Sequence, residues 1–504
     1  MNQQAICHTV EGCNCIYIDA FKAFKTKTED AKNAFILTHY HSDHYNGLPR
    51  GEAYIGPALI HCTPITARLL IEVHKIQSKF IEPHDYGITW IYAGSEITFY
   101  DANHCPGAAI VLVKNPLGSW HLHTGDMRYN YEKFSTYTKL SQVIQERKLD
   151  TLYLDTTYSK PKHTFIPQNE AIEEISSQVK ILLEPNERIV QDKKQSFFNA
   201  RTSKDCPTRT LVLLSCYSIG KEKVLWHSSE QSKQLIYVNQ AKYKMLQCIQ
   251  EKKNARSEES IYNIVDKCTQ DPSRSDLHVI QMGTAGSLFP FFQPNFTECA
   301  LYAHRLNKGY GKVVAFIPTG WADSSKYNKD NAIARKTLDL RDLLDGKKIN
   351  GNKTLMDVEV RLVAYSEHSS YDELRACVEY MKPKKIIPTV FSGEKDYEAI
   401  EKRFRDLVDG QRVKKAFIDS IVGGSKKKLK MDSSVDDKRV QDTKQTDLTM
   451  QQVEITPSPQ IFVNDSQVAL LVSMGFDAQK AAISLVQTNN NVDAALEQLL
   501  NNTI

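Results

Sequence analysis

An α/β fold, followed by a polar linker and a small helical bundle, is the architecture that the sequence predicts. Three observations carry it. Short apolar runs alternate with helical periodicities up to about residue 422, the pattern of buried strands covered by helices. After Gly423-Gly424-Ser425 the chain turns polar and nearly free of aromatics as far as Pro457-Ser458-Pro459. Such a stretch cannot bury enough apolar surface to offset its ordering entropy. Apolar periodicity returns from about residue 462, with Gly475 just past a first short helix and Thr488-Asn489-Asn490-Asn491 before the last.

In chain order the strand candidates are 34–40, 108–113, 151–157, 210–218, 313–320, 358–366 and 384–390. The 504 residues correspond to roughly two to four domains. No uninterrupted apolar run approaches the roughly 20 residues of a membrane span, so no membrane partner is expected. The first residues lack the basic-then-apolar layout of a signal peptide. Eleven scattered cysteines, an odd number, favour reduced thiols inside the cell over a secreted disulfide framework. Cys7, Cys13 and Cys15 have no second pair spaced to complete a metal knot. A net charge of +4 permits a local nucleic-acid patch without demanding one.

The densest chemical signal follows the first strand. His39, His41, Asp43 and His44 place four ligand-type side chains within six residues. Imidazoles and a carboxylate in this mix suit zinc or another borderline divalent ion. In an extended segment His39 and His41 project to the same side, and Asp43 and His44 follow as the chain turns. A catalytic site needs further ligands. His104, in a loop ending at Gly107, and Asp126, just after Gly125, stand in the same relation to strands. His121 and His123 alternate within a strand and are expected to be structural. The role of His278 is open. Phe289, Phe291 and Phe292 read as packing residues before they read as base-stacking ones.

His39-x-His41-x-Asp43-His44, then His104, then Asp126 resembles the metallo-β-lactamase signature. Ile18-Asp19-Ala20-Phe21, Leu154-Asp155-Thr156-Thr157-Tyr158, Tyr217-Ser218-Ile219-Gly220-Lys221-Glu222-Lys223 and Tyr365-Ser366-Glu367-His368 resemble the β-CASP branch, and within it the DNA cross-link-repair nucleases that include Artemis. The resemblance covers about residues 10 to 420. It implies an αββα sandwich with an inserted β-CASP cap. The implied domains are the first part of the sandwich at 1–160, the cap at 161–330, completion of the sandwich at 331–422, a linker at 423–461 and a bundle at 462–504.

The resemblance also implies one or two divalent ions, zinc first, with magnesium or manganese as alternatives at the second position. His39, His41 and His104 would hold one ion. Asp43, His44 and His368 would hold the other, with Asp126 bridging. Asp19 and Asp155 would orient ligand imidazoles from behind. Asp43, His368 and Asp155 would take part in the chemistry of a phosphodiester clamped by the ions. Val390 stands where RNA-processing relatives carry histidine, which resembles the DNA branch.

Ser218, Gly220 and Lys221 lie between a strand and a helix start, where backbone amides, a hydroxyl and a lysine form an anion site. They are expected to bind a DNA 5′-phosphate, with Lys223, Arg128 and Lys160 extending a basic track. The implied activity is that of a nuclear 5′→3′ DNA exonuclease in interstrand cross-link repair. The alternatives are a structure-selective endonuclease and a non-catalytic ubiquitin-binding adaptor. Lys426–Lys430 reads equally as a nuclear-import patch or as a solvated charge run. The C-terminal module resembles a ubiquitin-associated domain, and Met474, Gly475, Phe476, Leu499 and Leu500 are the residues expected to meet ubiquitin.

Overall fold

The computed structural model describes residues 7–22, 25–54, 56–184, 209–250, 260–288, 292–320, 332–344, 355–410 and 478–488. The chain divides into units 1–408 and 409–504.

The first unit begins with four short parallel strands in sequence order: β1 (Ile16–Ile18), β2 (Ala34–Ile36), β3 (Leu59–Cys62) and β4 (Ile81–Pro83). A second sheet follows with β5 (Thr89–Tyr92), β6 (Ser95–Asp101), β7 (Ala109–Lys114) and β8 (Trp120–His123) as an antiparallel meander, and β9 (Leu149–Leu154) parallel to β8. The β5–β6 turn is Ala93-Gly94, both at positive φ (46° and 77°), the two-residue geometry that matches strand twist. The two sheets pack face to face. Ile16, Ile18 and Ile36 of the first meet Ile97, Phe99, Val111 and Val113 of the second. The period of two along β6 and β7 is that of a face turned inward.

A third sheet holds β10 (Arg209–Cys216), β11 (Ile236–Tyr237), β12 (Cys268–Thr269), β13 (Leu277–Gln281), β16 (Tyr310–Thr319), β17 (Ile333–Asp339) and β18 (Leu355–Ala364), with β14 (Gly286–Ser287) and β15 (Gln293–Pro294) forming a small pair beside it. Its order is β12-β11-β13-β10-β16-β18-β17, parallel except for β17. Leu211 and Leu213 face one side with Cys299, Ala300 and Ala303 of the helix Phe296–Arg305. Val212 and Leu214 face the other, in one core with Leu152, Ile175 and Val179. Burial on both faces is why β10 and β16 read as unbroken apolar runs. Last, β19 (Lys385–Pro388) returns to the second sheet, parallel to β9.

All seven strand candidates contain strands. The expected cap ends at residue 330, and the third sheet continues beyond it through β17 and β18. β18 pairs with β16 from Asp357 to Ala364, in the third sheet, and β19 is the strand that returns to the second sheet. An apolar run of this kind suits either sheet. His368 leaves from the end of β18.

His278 on β13 is fully buried. Its Nε2–H donates to the Ser275 carbonyl at 3.1 Å and its Nδ1 accepts from the Tyr302 hydroxyl at 3.1 Å. Burial lowers its pKa to about 4. Its role is structural. So is that of His123, which donates to the Cys7 carbonyl and accepts from the Gly125 amide. His121 is likewise buried, with the Asn115 amide at 3.2 Å.

Among the described residues no disulfide forms, and no helix is long and apolar enough to cross a membrane. In the second unit the helix Ala478–Gln487 buries Ala481 and Leu485. The expected linker at 423–461, Lys426–Lys430, Met474, Gly475, Phe476, Leu499, Leu500 and Phe289–Phe291 lie outside the described residues.

Candidate metal centre

Strand ends from all three sheets converge on one point. Asp19 follows β1 in a left-handed conformation (φ 50°), and the loop Thr38–His44 follows β2. His104 follows β6, Asp126 follows β8, Asp155 follows β9 and His368 follows β18. The β8 exit is tight. Gly125 has φ +52°, and a Cβ there would stand 2.9 Å from Thr38 Oγ1. Only a residue without a side chain lets Asp126 come so close to the His39 loop.

Each of the five imidazoles uses one ring nitrogen to reach outward. Thr38 Oγ1 donates to Asp19 Oδ2 at 2.6 Å, so it accepts from His39 Nδ1 at 3.0 Å. His41 Nε2 donates to the Ile219 carbonyl at 3.0 Å, and His104 Nδ1 to the Glu367 carbonyl at 2.8 Å. His44 Nδ1 donates to Asp19 Oδ2 at 2.7 Å, and His368 Nδ1 to Asp155 Oδ2 at 2.8 Å. These partners assign the tautomers. The inward nitrogens, His39 Nε2, His41 Nδ1 and His104 Nε2, then carry lone pairs.

His41 Nδ1 lies 2.9 Å from His39 Nε2 and 3.1 Å from His104 Nε2. Lone pairs cannot hydrogen-bond one another, so the arrangement calls for a cation between them. The separations are near the roughly 3.3 Å that ligands about 2.05 Å from a tetrahedral ion keep. The residues therefore fit a metal ion.

Asp126 Oδ2 sits at the junction, 3.1 Å from His44 Nε2, 3.6 Å from His39 Nε2, 3.7 Å from His104 Nε2 and 3.9 Å from His368 Nε2. Asp43 Oδ2 is 3.7 Å from His44 Nε2, and its side chain is 61% exposed, at the mouth of the site. Burial pushes His39 and His104 well below the ordinary imidazole range. Burial acts the same way on His368, but Asp155 and Asp126 outweigh it and hold the group at about 9. The site thus contains a half built for neutral ligands and a half that favours positive charge.

Asp155 is buried and its acceptor positions are taken. Oδ2 accepts from His368 and the Met127 amide, and Oδ1 from the Thr157 amide and hydroxyl. It holds His368 and is not placed to meet a substrate. The Cys105 thiol comes within 4.8 Å of the His39, His41 and His104 nitrogens, a neighbour the sequence did not single out. The carbonyls of Ile219 and Glu367 were also missed, because a backbone group leaves no mark in residue type.

The expected phosphate turn departs from its reading. The Gly220 amide donates to Glu222 and the Lys221 amide to Glu367, so both are occupied by carboxylates. Ser218 is exposed. The Lys221 ammonium is buried over the rings of Tyr217 (5.0 Å) and Tyr365 (5.2 Å), 3.9 Å from Glu367. Arg128 is not part of a surface track. It is buried and donates to Glu373 and to the Ser366 and Ile166 carbonyls. Lys223 donates to Asn103 and Gln168 side chains, and Lys160 is exposed. Val390, read as a buried strand residue, is 44% exposed just beyond β19.

Residues 262–394 match the family described as DNA repair metallo-beta-lactamase, and residues 463–499 match the UBA/TS-N domain. The chain is 32% identical over 396 residues to DNA ligase 6 of Arabidopsis thaliana, covering 77% of this chain and 24% of that one. It is 31% identical over 388 residues to the DNA cross-link repair 1A protein of Homo sapiens, covering 76% and 31%. It is 25% identical over 370 residues to the 5′ exonuclease Apollo of Gallus gallus, covering 73% and 60%. The chain thus spans about a quarter to three fifths of these relatives' own lengths.

Proposed function

From a chain that carries a DNA repair metallo-beta-lactamase domain and a C-terminal UBA domain, we propose a metal-dependent DNA nuclease that cleaves from 5′ ends in cross-link repair. The observation that carries this reading is the meeting of three imidazole lone pairs with the carboxylate of Asp126 at one buried point. His39, His41 and His104 would hold one ion, zinc by their all-nitrogen chemistry. His44, Asp43 and His368 would hold a second, where oxygen donors also admit magnesium or manganese, and Asp126 would serve both. Bound ions supply Lewis acidity toward phosphate oxygens and lower the pKa of water. Asp43, exposed at the mouth, orients the attacking water and takes up its proton. His368, steadied by Asp155, is placed to meet the phosphate or the leaving oxygen.

Action from a 5′ end is supported by the relative named as a 5′ exonuclease. With the Gly220 and Lys221 amides occupied, the exposed Ser218 hydroxyl remains for a terminal phosphate, and the Lys221 ammonium, buried 3.9 Å from Glu367, would turn from that carboxylate to reach it. A charge-assisted contact of this kind is worth about 1.5–3 kcal/mol, so a 5′-hydroxyl strand should be digested at least about tenfold more slowly than a 5′-phosphorylated one. The test is product length and rate on end-labelled single strands. Mononucleotide release from the 5′ end supports the reading, and equal rates for the two ends would remove the phosphate pocket from it.

The UBA domain supports recruitment by ubiquitin or a ubiquitinated protein, with Met474, Gly475, Phe476, Leu499 and Leu500 as the contact residues. DNA repair as the task supports a nuclear location. A chain ending at residue 461 should digest DNA at the full-length rate and lose ubiquitin in a pull-down. Retained ubiquitin binding would put the contact within residues 1–461.

A further inference from the structure

Two of the three imidazoles in the all-nitrogen half are held from outside the sandwich. One turn, Ile219–Lys221, at the end of β10 in the third sheet does both. Its Ile219 carbonyl accepts from His41. Its Lys221 amide donates to Glu367 Oε1 at 2.6 Å, and the Glu367 carbonyl accepts from His104. Gly220 lies between them at φ +107°, and a Cβ there would stand 2.8 Å from Glu367 Oε2.

The turn is itself held by a buried ion pair. Glu222 opens the helix Glu222–Ser232 and accepts from the Gly220 amide through Oε1 and Oε2, at 3.1 and 2.9 Å. Lys242, on the helix Gln240–Ile249, donates to Glu222 Oε1 at 2.9 Å and to the Tyr217 and Ser218 carbonyls at 3.2 and 3.0 Å. The pair is 1% and 7% exposed. Burying two charges this completely is a poor route to stability, since an apolar pair of the same size does as well. What the pair does supply is geometry: it fixes the Gly220 amide and the Tyr217 and Ser218 carbonyls.

We propose that Glu222, Lys242 and Glu367 are positioning residues for the metal centre, so that metal binding by the sandwich and docking of the third sheet form one linked equilibrium. Through the turn, the ion pair sets the tilt of His41 and His104, and with it the geometry offered to the ion. Partners standing behind metal ligands commonly carry about 10–100-fold of metal affinity. The inference rests on the metal reading alone and needs no DNA.

The experiment is zinc titration of the full chain against a chromogenic chelator, with thermal unfolding measured beside it. Glu222→Leu with Lys242→Met removes both charges together and leaves the Gly220 amide without its acceptor. It is expected to weaken one zinc by at least about tenfold while melting near the wild type. Glu222→Gln alone keeps an acceptor for the Gly220 amide and for Lys242 and is expected to stay within about threefold of wild type, since the outer partners remain. If the leucine variant does not fold, Glu367→Ala frees the Lys221 amide and should weaken the same zinc by about as much. Zinc affinity equal to wild type in the leucine variant, or in Glu367→Ala where that chain stands in for it, overturns the proposal. So does equal weakening in the leucine and glutamine variants. A wild-type chain that binds no zinc overturns the metal reading itself.

Discussion

Asp126→Asn is expected to lower DNA hydrolysis by well over the roughly hundredfold seen when only an outer partner of a ligand is lost. Its Oδ2 lies within 3.9 Å of inward nitrogens from His39, His44, His104 and His368. Asparagine keeps the shape and removes the negative charge that offsets up to two dications. It also offers an amide nitrogen, which is no ligand, where half of the carboxylate stood. Metal content should fall together with activity, while circular dichroism stays that of the wild type. The measurements are single-turnover cleavage and elemental analysis of the purified chain. Cleavage within tenfold of wild type at full metal content would remove Asp126 from the centre.

Asp155→Asn should cost about 10–100-fold by a different route. In the native chain Asp155 Oδ2 accepts from His368 Nδ1 at 2.8 Å and from the Met127 amide at 3.1 Å. An amide nitrogen at that position would donate to His368 Nδ1 and move the ring proton to Nε2, the atom that faces Asp126. The ring would then have no lone pair to offer inward, as when a triad aspartate is replaced and the histidine takes the wrong tautomer. The distinguishing readout is the number of bound ions: the His39, His41 and His104 half should stay loaded while the other half empties. Retention of both ions with unchanged cleavage would show that Asp155 only supports the fold.

Much of this was legible because the chemistry is locally dense. His39, His41, Asp43 and His44 share one loop, and no core has a use for such a cluster. The strands were legible because β10 and β16 are buried on both faces at Leu211–Leu214 and Val313–Ile317 and are apolar there. Three things were not. Arg128 reads as a surface charge, and nothing local foretells that Glu373, 245 positions away, will pair with it in the interior. The carbonyls of Ile219 and Glu367 are invisible in residue type. The sheet to which β18 belongs is decided by its pairing with β16, where Asp357 meets Lys312 45 positions upstream, while its own pattern suits either. In each case the missing information is long-range pairing, which composition and period do not encode.

The same distances govern time. His41 finds its carbonyl partner 178 positions downstream and His104 finds its partner 263 positions downstream. Closing loops of that length is slow, so the ligand set comes together only when nearly all of the first unit is in place. A metal ion then has nothing complete to grip in the folding transition state and grips only what lies beyond it. Interactions of that kind leave the folding rate almost unchanged and act as a brake on unfolding. Loaded chains would be long-lived rather than quick to form, and withdrawal of metal would shorten the lifetime of the native state without altering the way it is reached.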